Sequence, residues 1–194
     1  MPMPSWAVKS GSFRSDNGMV TGRVLTSVER DGLNLGDWGR LEIPDLEHVR
    51  IRNTAGKVRD ISAKGLLRFG TNITGWFEPE HGIAVLGGPS TELLRIDFAT
   101  DEATVVATFD RDPDEDLRFV SFHEVGSGVL CLYERGVVFL DMDGHSLWLA
   151  KHEDISAKFD GARDGMAWFR SQWPPDQVGH RFAIRLSDGK QVSG

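Results

Sequence analysis

Three glutamates and two histidines are the residues of this 194-residue chain that could carry acid–base or metal chemistry. They fall in two short stretches, with Glu78, Glu80 and His81 in the first and His123 and Glu124 in the second. Carboxylates beside imidazoles suit either a general acid and base or a metal ion. The six histidines show no HxxxH, HxH or His–Cys spacing, however, and no GxSxG stretch marks a serine nucleophile. We therefore predict no catalytic residue and no metal site.

A run of acidic residues superficially resembles a calcium-binding loop. Its aspartates alternate along the chain: Asp110, Asp112, Asp114 and Asp116. A calcium loop also needs a glycine at its sharp turn and a bidentate glutamate at its end, and the run lacks both at the required positions. Pro113 moreover removes a backbone donor. The run is therefore interpreted as an acidic surface loop without calcium.

The single cysteine, Cys131, lies in an apolar run. One cysteine excludes an internal disulfide and a metal site made of cysteines alone. Its apolar neighbours predict an inert thiol in the core. The stretch at residues 87–90 is interpreted as a turn, because no helix is predicted after it to bind a phosphate. No cofactor is expected.

The overall charge limits the partners. Twenty-two basic residues against 29 acidic ones give a net charge of −7. This balance argues against nonspecific binding to nucleic acid or to anionic membranes, because both need a basic face. The N-terminus lacks the apolar stretch of a signal peptide, and no run is long enough to span a bilayer. The sequence therefore predicts a cytoplasmic protein that binds neither nucleic acid nor membrane.

Short strands and tight turns are the elements that must position these residues. Residues 119–149 show the pattern most clearly, as three or four apolar runs broken by turn residues. Asp143 and Gly144 form the strongest hairpin signal, because Asp-Gly readily takes the positive φ that a type I′ turn needs at both central positions. These residues predict one small antiparallel sheet.

This hairpin occurs four times along the chain. Equivalent aliphatic residues are spaced by 45, 44 and 44 residues: Ile51, Ile96, Leu140 and Ile184. Inward positions two residues earlier keep the same spacing: Val49, Leu94, Val138 and Phe182. The turns follow more loosely, at Gly56, Asp101, Gly144 and Gly189. Because an apolar run also precedes the last three hairpins, at residues 82–86, 128–132 and 165–169, each unit is predicted to have four strands.

A four-stranded unit of about 45 residues that ends in a hairpin resembles a β-propeller blade, and the resemblance covers roughly residues 45–194. The Gly-His and Trp-Asp dipeptides of the WD40 family are missing at the matching positions. The resemblance therefore implies an architecture: a single all-β domain over residues 1–194, closed into a four-bladed ring of the size that hemopexin-like domains adopt. An irregular β-sandwich, an open β-array and a half-propeller completed by dimerisation are the alternatives.

The predicted units span about residues 1–61, 62–108, 109–152 and 153–194. The first is the least regular. Its outer strands are expected at residues 5–13 and 20–29, whereas residues 30–44 do not align with the other repeats.

Propeller geometry also predicts a docking face, because the loops from the second to the third strand and the loops between blades emerge on one side. Trp38 and Trp173 are assigned to loops of the first kind, and the run at residues 110–116 is a loop of the second kind. Tryptophan anchors beside steering charges favour protein binding. Trp38, Trp173 and the four aspartates of the run therefore predict a partner-binding site for a basic protein.

Two functions follow from the sequence. The first is a non-catalytic protein-binding module, monomeric or homodimeric, of which an acidic immunity or antitoxin protein would be one form. The second is a hydrolase or lyase in which the carboxylates and histidines line the central channel. Convergence of Glu78, Glu80, His81, His123 and Glu124 would favour the enzyme.

Overall fold

A computed structural model describes twelve parts of the chain: residues 23–26, 33–35, 38–42, 44, 47–62, 74–87, 92–109, 121–133, 135–151, 157–172, 175 and 178–192. These residues form strands and turns, arranged as four antiparallel sheets. Among them there is no helix long and apolar enough to cross a membrane. The predicted all-β class with repeated four-stranded units is confirmed.

The first sheet follows the chain order. Its strands are β2 (Leu33–Asn34), β3 (Arg40–Glu42), β4 (His48–Arg52) and β5 (Val58–Ser62). Each strand pairs with the next one in the sequence. The stretch at residues 30–44, which did not align with the other repeats, thus contributes the first two strands of this sheet.

The second sheet has five strands. Four follow the repeat: β6 (Thr74–Glu78), β7 (Ile83–Gly87), β8 (Glu92–Asp97) and β9 (Glu102–Thr108). The fifth, β1 (Arg23–Thr26), pairs antiparallel with β6. A strand near residues 20–29 was expected in the first unit, and that assignment is wrong. β1 instead pairs with the backbone groups along the free edge of β6.

The third and fourth sheets repeat the four-stranded order. The third contains β10 (Ser121–Val125), β11 (Gly128–Tyr133), β12 (Gly136–Asp141) and β13 (Ser146–Lys151). The fourth contains β14 (Lys158–Arg163), β15 (Met166–Arg170), β16 (Arg181–Arg185) and β17 (Gln191–Val192). All four predicted hairpins are therefore present as the last two strands of a sheet, and the eight repeated inward residues are at most 5% exposed.

The turns of these hairpins share a left-handed residue. Gly56, Asp101, Gly144 and Gly189 all have positive φ, between 63° and 78°. The type I′ turn predicted at Asp143–Gly144 is wrong, because Asp143 does not have positive φ.

A three-residue loop takes its place at this hairpin. The Gly144 N–H donates to the Asp141 carbonyl, and the Asp141 N–H donates to the His145 carbonyl, each at 3.0 Å. This is the pattern of a type I turn followed by one left-handed residue. A two-residue Asp-Gly turn with positive φ at both positions occurs instead at Asp164 and Gly165.

Apolar side chains join consecutive sheets in three buried clusters. Between the first and second sheets they include Val49, Ile51, Phe77 and Ile96. Between the second and third they include Trp76, Val85, Val129 and Leu140. Between the third and fourth they include Val137, Phe139, Phe169 and Phe182. The two middle sheets are thus covered on both faces, which explains why every residue of β7 and β11 is buried.

The first and fourth sheets bury one face each. In β4 and β15, fully buried residues alternate with partly buried or exposed ones. In β16, Phe182, Ala183 and Ile184 are all buried. Within the described residues, no buried apolar cluster contains side chains of both end sheets. Closure of the four sheets into a ring, and the predicted unit boundaries, stay predictions.

Candidate docking face on the fourth sheet

Each of the first three sheets donates a hydrogen bond to a turn of the next sheet. Arg59 on β5 donates to a backbone carbonyl in the β8–β9 turn. Arg95 on β8 donates to a carbonyl in the β12–β13 turn at 2.6 Å. Trp148 on β13 donates to a carbonyl in the β16–β17 turn at 2.8 Å. Every hairpin turn after the first is therefore held against the sheet before it.

The glycines of these turns lie close to the preceding sheet. A Cβ atom at Gly189 would lie 2.7 Å from the Trp148 ring, and one at Gly144 would lie 2.9 Å from Val85. A Cβ atom at Gly56, in the turn of the first sheet, would meet nothing within 4 Å. The turns thus lie against a neighbouring sheet wherever a preceding sheet exists.

The fourth sheet has no following sheet among the described residues, and we call its side that points away from the third sheet the open face. The register places these side chains on it: Lys158, Asp160, Arg163, Met166, Trp168, Arg170, Arg181, Ala183 and Arg185. Five are basic and one is acidic, and all six charged side chains are exposed. An acidic protein therefore carries a basic face at one end of its stack.

Trp168 lies at the centre of the open face. It pairs across the strands with Ala183, which is 2% exposed. The Arg163 guanidinium lies over the indole, 4.6 Å from its centre, in a cation–π contact. The indole Nε1 is covered and has no hydrogen-bond acceptor. A buried donor without an acceptor lowers the stability of the folded protein by about 1–3 kcal/mol. An acceptor supplied to this N–H would recover that free energy.

Arginines surround this tryptophan toward the ends of β15 and β16. Arg170 donates to both oxygens of Asp160 at 2.9 Å, and Arg181 lies 3.6 Å from the same carboxylate. The hydrogen bond from Arg170 holds the pKa of Asp160 below its usual value, and the nearby charge of Arg181 acts in the same direction. Arg185 pairs with Asp188 in the adjoining turn at 3.0 Å. Among the described residues these carboxylates are fewer than the arginines, so this part of the surface carries a net positive charge.

The opposite end of the stack has a more balanced surface. On the outer face of the first sheet, Arg50 pairs with Asp60 at 2.6 Å, and Arg52 and Arg40 lie 3.3 and 3.7 Å from Glu42. Arg50 and Arg52 thus each have a carboxylate partner there, and no tryptophan lies on β3, β4 or β5. The combination of an exposed basic surface and a central indole therefore distinguishes the fourth sheet.

Trp38 lies between β2 and β3, and its indole is engaged inside the protein. Its Nε1 donates to the Pro79 carbonyl at 2.8 Å, and its ring packs on Phe98 and against Gly82. Sequence reasoning assigned it to a loop between second and third strands, and this assignment is wrong.

The other predicted partner-binding residues lie outside the described residues. These are Trp173, Asp110, Asp112, Asp114 and Asp116. Their role in binding a basic partner stays a prediction, as does that of Trp38.

The five acid–base candidates engage different neighbours. Glu124 accepts a hydrogen bond from the indole of Trp76 on β6 at 2.9 Å. His81 lies 3.0 Å from a carboxylate in the β12–β13 turn, and His123 lies 3.1 Å from the hydroxyl of Ser121. The described contacts therefore support no acid–base pair among them.

Two of these candidates are nevertheless enclosed by the fold. Glu78 is 1% exposed, and one carboxylate oxygen accepts the Glu80 N–H at 2.8 Å, while the other has no partner. Burial lowers the pKa of His123 to about 4, so this imidazole is neutral at physiological pH. A neutral ring beside Phe159 fits an apolar interface between the third and fourth sheets.

One group of possible metal ligands lies at the β12–β13 turn, where the sequence was interpreted as a hairpin turn. The ligand atoms of Asp141, Asp143 and His145 lie within 4.8 Å of one another. The His145 Nδ1 lies 3.4 Å from Asp141, and the His81 Nδ1 lies 3.0 Å from Asp143. Two Asp–His pairs on an exposed turn explain this arrangement without a metal.

The thiol of Cys131 lies in the core, as the sequence predicts. Cys131 is fully buried within the cluster between the second and third sheets, and burial raises the pKa of its thiol. A buried neutral thiol is a poor nucleophile.

The chain was also compared with known proteins. Neither the models of protein families nor the curated proteins gave a match. The functional conclusion therefore depends on the geometry of the open face.

Proposed function

We propose that this protein is a non-catalytic binding scaffold that docks a partner protein on the open face of its fourth sheet. The observation that carries the proposal is the position of Trp168 among exposed arginines, at an end of the stack with no following sheet in the described residues. Tryptophan and arginine are the residues that most often dominate protein interfaces. A partner here would cover apolar surface and satisfy charged donors together.

In this proposal the four sheets form an open array. Ring closure would bring the outer face of the first sheet against the open face. Arg40, Arg50 and Arg52 would then meet the five basic residues of the fourth sheet. Closure would take these exposed charged side chains and their ion-pair partners out of water, and the desolvation cost of a buried ion pair can exceed its Coulombic attraction. The charges of the end sheets therefore favour a separate partner over closure.

An immunity or antitoxin protein remains one form that such a scaffold could take. The small size and the net charge of −7 support it, and both are bulk properties. The acidic run at residues 110–116 would provide a second, independent surface for a basic partner in this scheme.

Crosslinking mass spectrometry of the protein with its co-purified partner tests the proposed face. Lys158 lies on the open face and Lys190 lies in the adjoining turn, whereas Lys57 lies at the far end of the stack. We expect crosslinks to the partner from Lys158 and Lys190 and none from Lys57. Crosslinks confined to Lys57 would refute the proposal.

Substitutions at the face complete this test. Trp168→Ala should abolish capture of the crosslinked partner, because it removes the central contact. Leu147→Ala is the matched control, since Leu147 is an exposed apolar residue on the third sheet. Circular dichroism and thermal melting verify that both variants fold. If Trp168→Ala is unstable, the double variant Arg170→Glu, Arg181→Glu at two exposed positions replaces it. Capture of the partner by either variant in folded form would contradict the proposal.

A further inference from the structure

We infer that Asp160 fills a carboxylate-binding position on the open face, and this inference rests on the proposed function. The partner would be an acidic protein segment whose carboxylates compete with Asp160 for that position. The position is a line of three cations, Lys158, Arg170 and Arg181, which we call the cationic row. Asp160 would thus set how tightly the partner binds.

The strand register brings the three cations of the row together. Lys158 on β14 lies directly opposite Arg170 on β15, and Arg170 lies directly opposite Arg181 on β16. Like charges directly opposite one another on neighbouring strands destabilise a sheet, so an anion placed among them is favoured. The row therefore provides the electrostatic condition for binding a carboxylate.

A bulge in β14 supplies the internal carboxylate. The register of β14 against β15 shifts between Phe159 and Gly161, so Asp160 is an extra residue with no pairing residue on β15. Its side chain reaches the row, where Arg170 donates to both carboxylate oxygens at 2.9 Å and Arg181 lies 3.6 Å away. A carboxylate is thus already bound at this position.

Asp160 leaves part of the hydrogen-bonding capacity of the row unused. Both bonds from Arg170 come from one nitrogen, Nη2, whereas an arginine can bind a carboxylate through two parallel N–H bonds from two nitrogens. The 3.6 Å separation from Arg181 is an ion pair that is too long for a hydrogen bond. A carboxylate that aligns with both guanidinium groups would therefore compete with Asp160.

The chemistry of the open face selects an acidic protein segment as the competitor. Five of the six charged side chains on this face are basic, and the group that the row already binds is a carboxylate. A nucleic acid would have to approach a chain of net charge −7, which weakens the nonspecific attraction that such binding needs. A nucleic acid and a second copy of this chain are outcomes that the experiments separate.

Fluorescence anisotropy with the intact protein tests the inference. The probe is a fluorescein-labelled linear oligoglutamate, and its controls are an oligolysine and a single-stranded oligonucleotide of the same length. We expect oligoglutamate to bind most tightly, with an affinity that falls as salt is raised. Tighter binding of the oligonucleotide, or no binding of oligoglutamate, overturns the inference.

Asp160→Asn is the decisive variant, because it removes the competing charge and keeps the size of the side chain. We expect the affinity for oligoglutamate to rise about fivefold. Asp164→Asn is the matched control, since it removes the same charge from the turn after β14 and asparagine tolerates the positive φ of this position. Its gain should stay below about twofold. An equal gain for both variants, or no gain for Asp160→Asn, overturns the inference.

A double-mutant cycle connects this gain to the row. Arg170→Gln should weaken oligoglutamate binding about fivefold, whereas Arg52→Gln at the far end of the stack should leave it within about twofold. These two side chains are similarly exposed, at 44% and 46%. In the Arg170→Gln background, Asp160→Asn should lose most of its gain, because Asp160 no longer competes for Arg170. The full gain in that background contradicts the inference.

Circular dichroism and thermal melting verify that each variant folds. If Asp160→Asn does not fold, Asp160→Ser replaces it, with the same expected gain and the same contrary result. Sedimentation of the wild-type protein detects a second copy at the face. Self-association that is lost in Arg170→Gln would mean that the occupant is a second copy, which refutes the inference.

The failures of the two proposals can be told apart. If the natural partner crosslinks to Lys158 but Asp160→Asn does not tighten the binding of oligoglutamate, the docking face stands and the role of Asp160 is wrong. If oligoglutamate behaves as expected but the natural partner crosslinks only to Lys57, the row binds carboxylates and the proposed docking face is wrong.

Discussion

His123 makes the stability of this protein sensitive to acid. Its ring lies 4.6 Å from that of Phe159, between the third and fourth sheets, and burial lowers its pKa from 6.5 to about 4. Since the folded pKa is depressed, the fold favours the neutral imidazole. The resulting stability is fully present above pH 6.5 and is lost as the pH falls toward 4. A pKa difference of this size corresponds to about 3 kcal/mol of unfolding free energy.

Urea unfolding at a series of pH values measures this loss. Carboxylates also titrate in the same range, so the wild-type protein is compared with His123→Gln, which cannot be protonated. We expect the variant to lose about 3 kcal/mol less than the wild type between neutral pH and about pH 4. His180→Gln is the matched control, because His180 is an exposed histidine outside the interface between the third and fourth sheets.

NMR titration of the histidine rings checks the same reasoning directly. The His123 resonances should shift with a midpoint near pH 4. A midpoint near 6.5 would show that the ring is hydrated in the folded protein. Identical pH dependences of the unfolding free energy for the wild type and His123→Gln would lead to the same conclusion.

Three further predictions concern the packing of the sheets. Gly189→Ala should lower the free energy of unfolding by at least about 1 kcal/mol more than Gly56→Ala does, as measured by urea unfolding. Both turns need positive φ, but only Gly189 lies against the Trp148 ring. Equal losses for the two variants would mean that the Gly189 turn does not pack against the neighbouring sheet. Trp38→Ala should lower the free energy of unfolding by about 2 kcal/mol, since it removes a packed ring and an internal hydrogen bond. An unchanged melting temperature would instead support the partner-binding role predicted for Trp38. Cys131 should react with a thiol reagent only after unfolding, because it is fully buried; labelling of the native protein, read by mass spectrometry, would contradict this.

Local features of the fold could be predicted from the sequence. The spacing of Ile51, Ile96, Leu140 and Ile184 identified four hairpins, and all four residues are buried in the inter-sheet clusters. The apolar run around Cys131 predicted a position in the core, and every residue of β11 is buried. Strand alternation and turn chemistry are properties of adjacent residues, so sequence patterns report them.

The turn type already depended on more than adjacent residues. Asp143–Gly144 and Asp164–Gly165 are the same dipeptide, yet only the second forms a two-residue turn. The register of the flanking strands decides how many residues remain for the loop. That register is set by which side chains must face the neighbouring sheets, and this is a tertiary effect.

The candidate site itself was decided by tertiary structure. Trp168 belongs to an ordinary strand pattern, and no feature of the sequence marks its indole N–H as lacking an acceptor. Trp38 in turn was predicted as an exposed anchor, but the neighbouring sheet supplies its acceptor and its packing partners. Periodicity shows which residues share one face of a sheet. What covers that face depends on segments distant in sequence, because a sheet buries whichever face the next sheet is able to pack against.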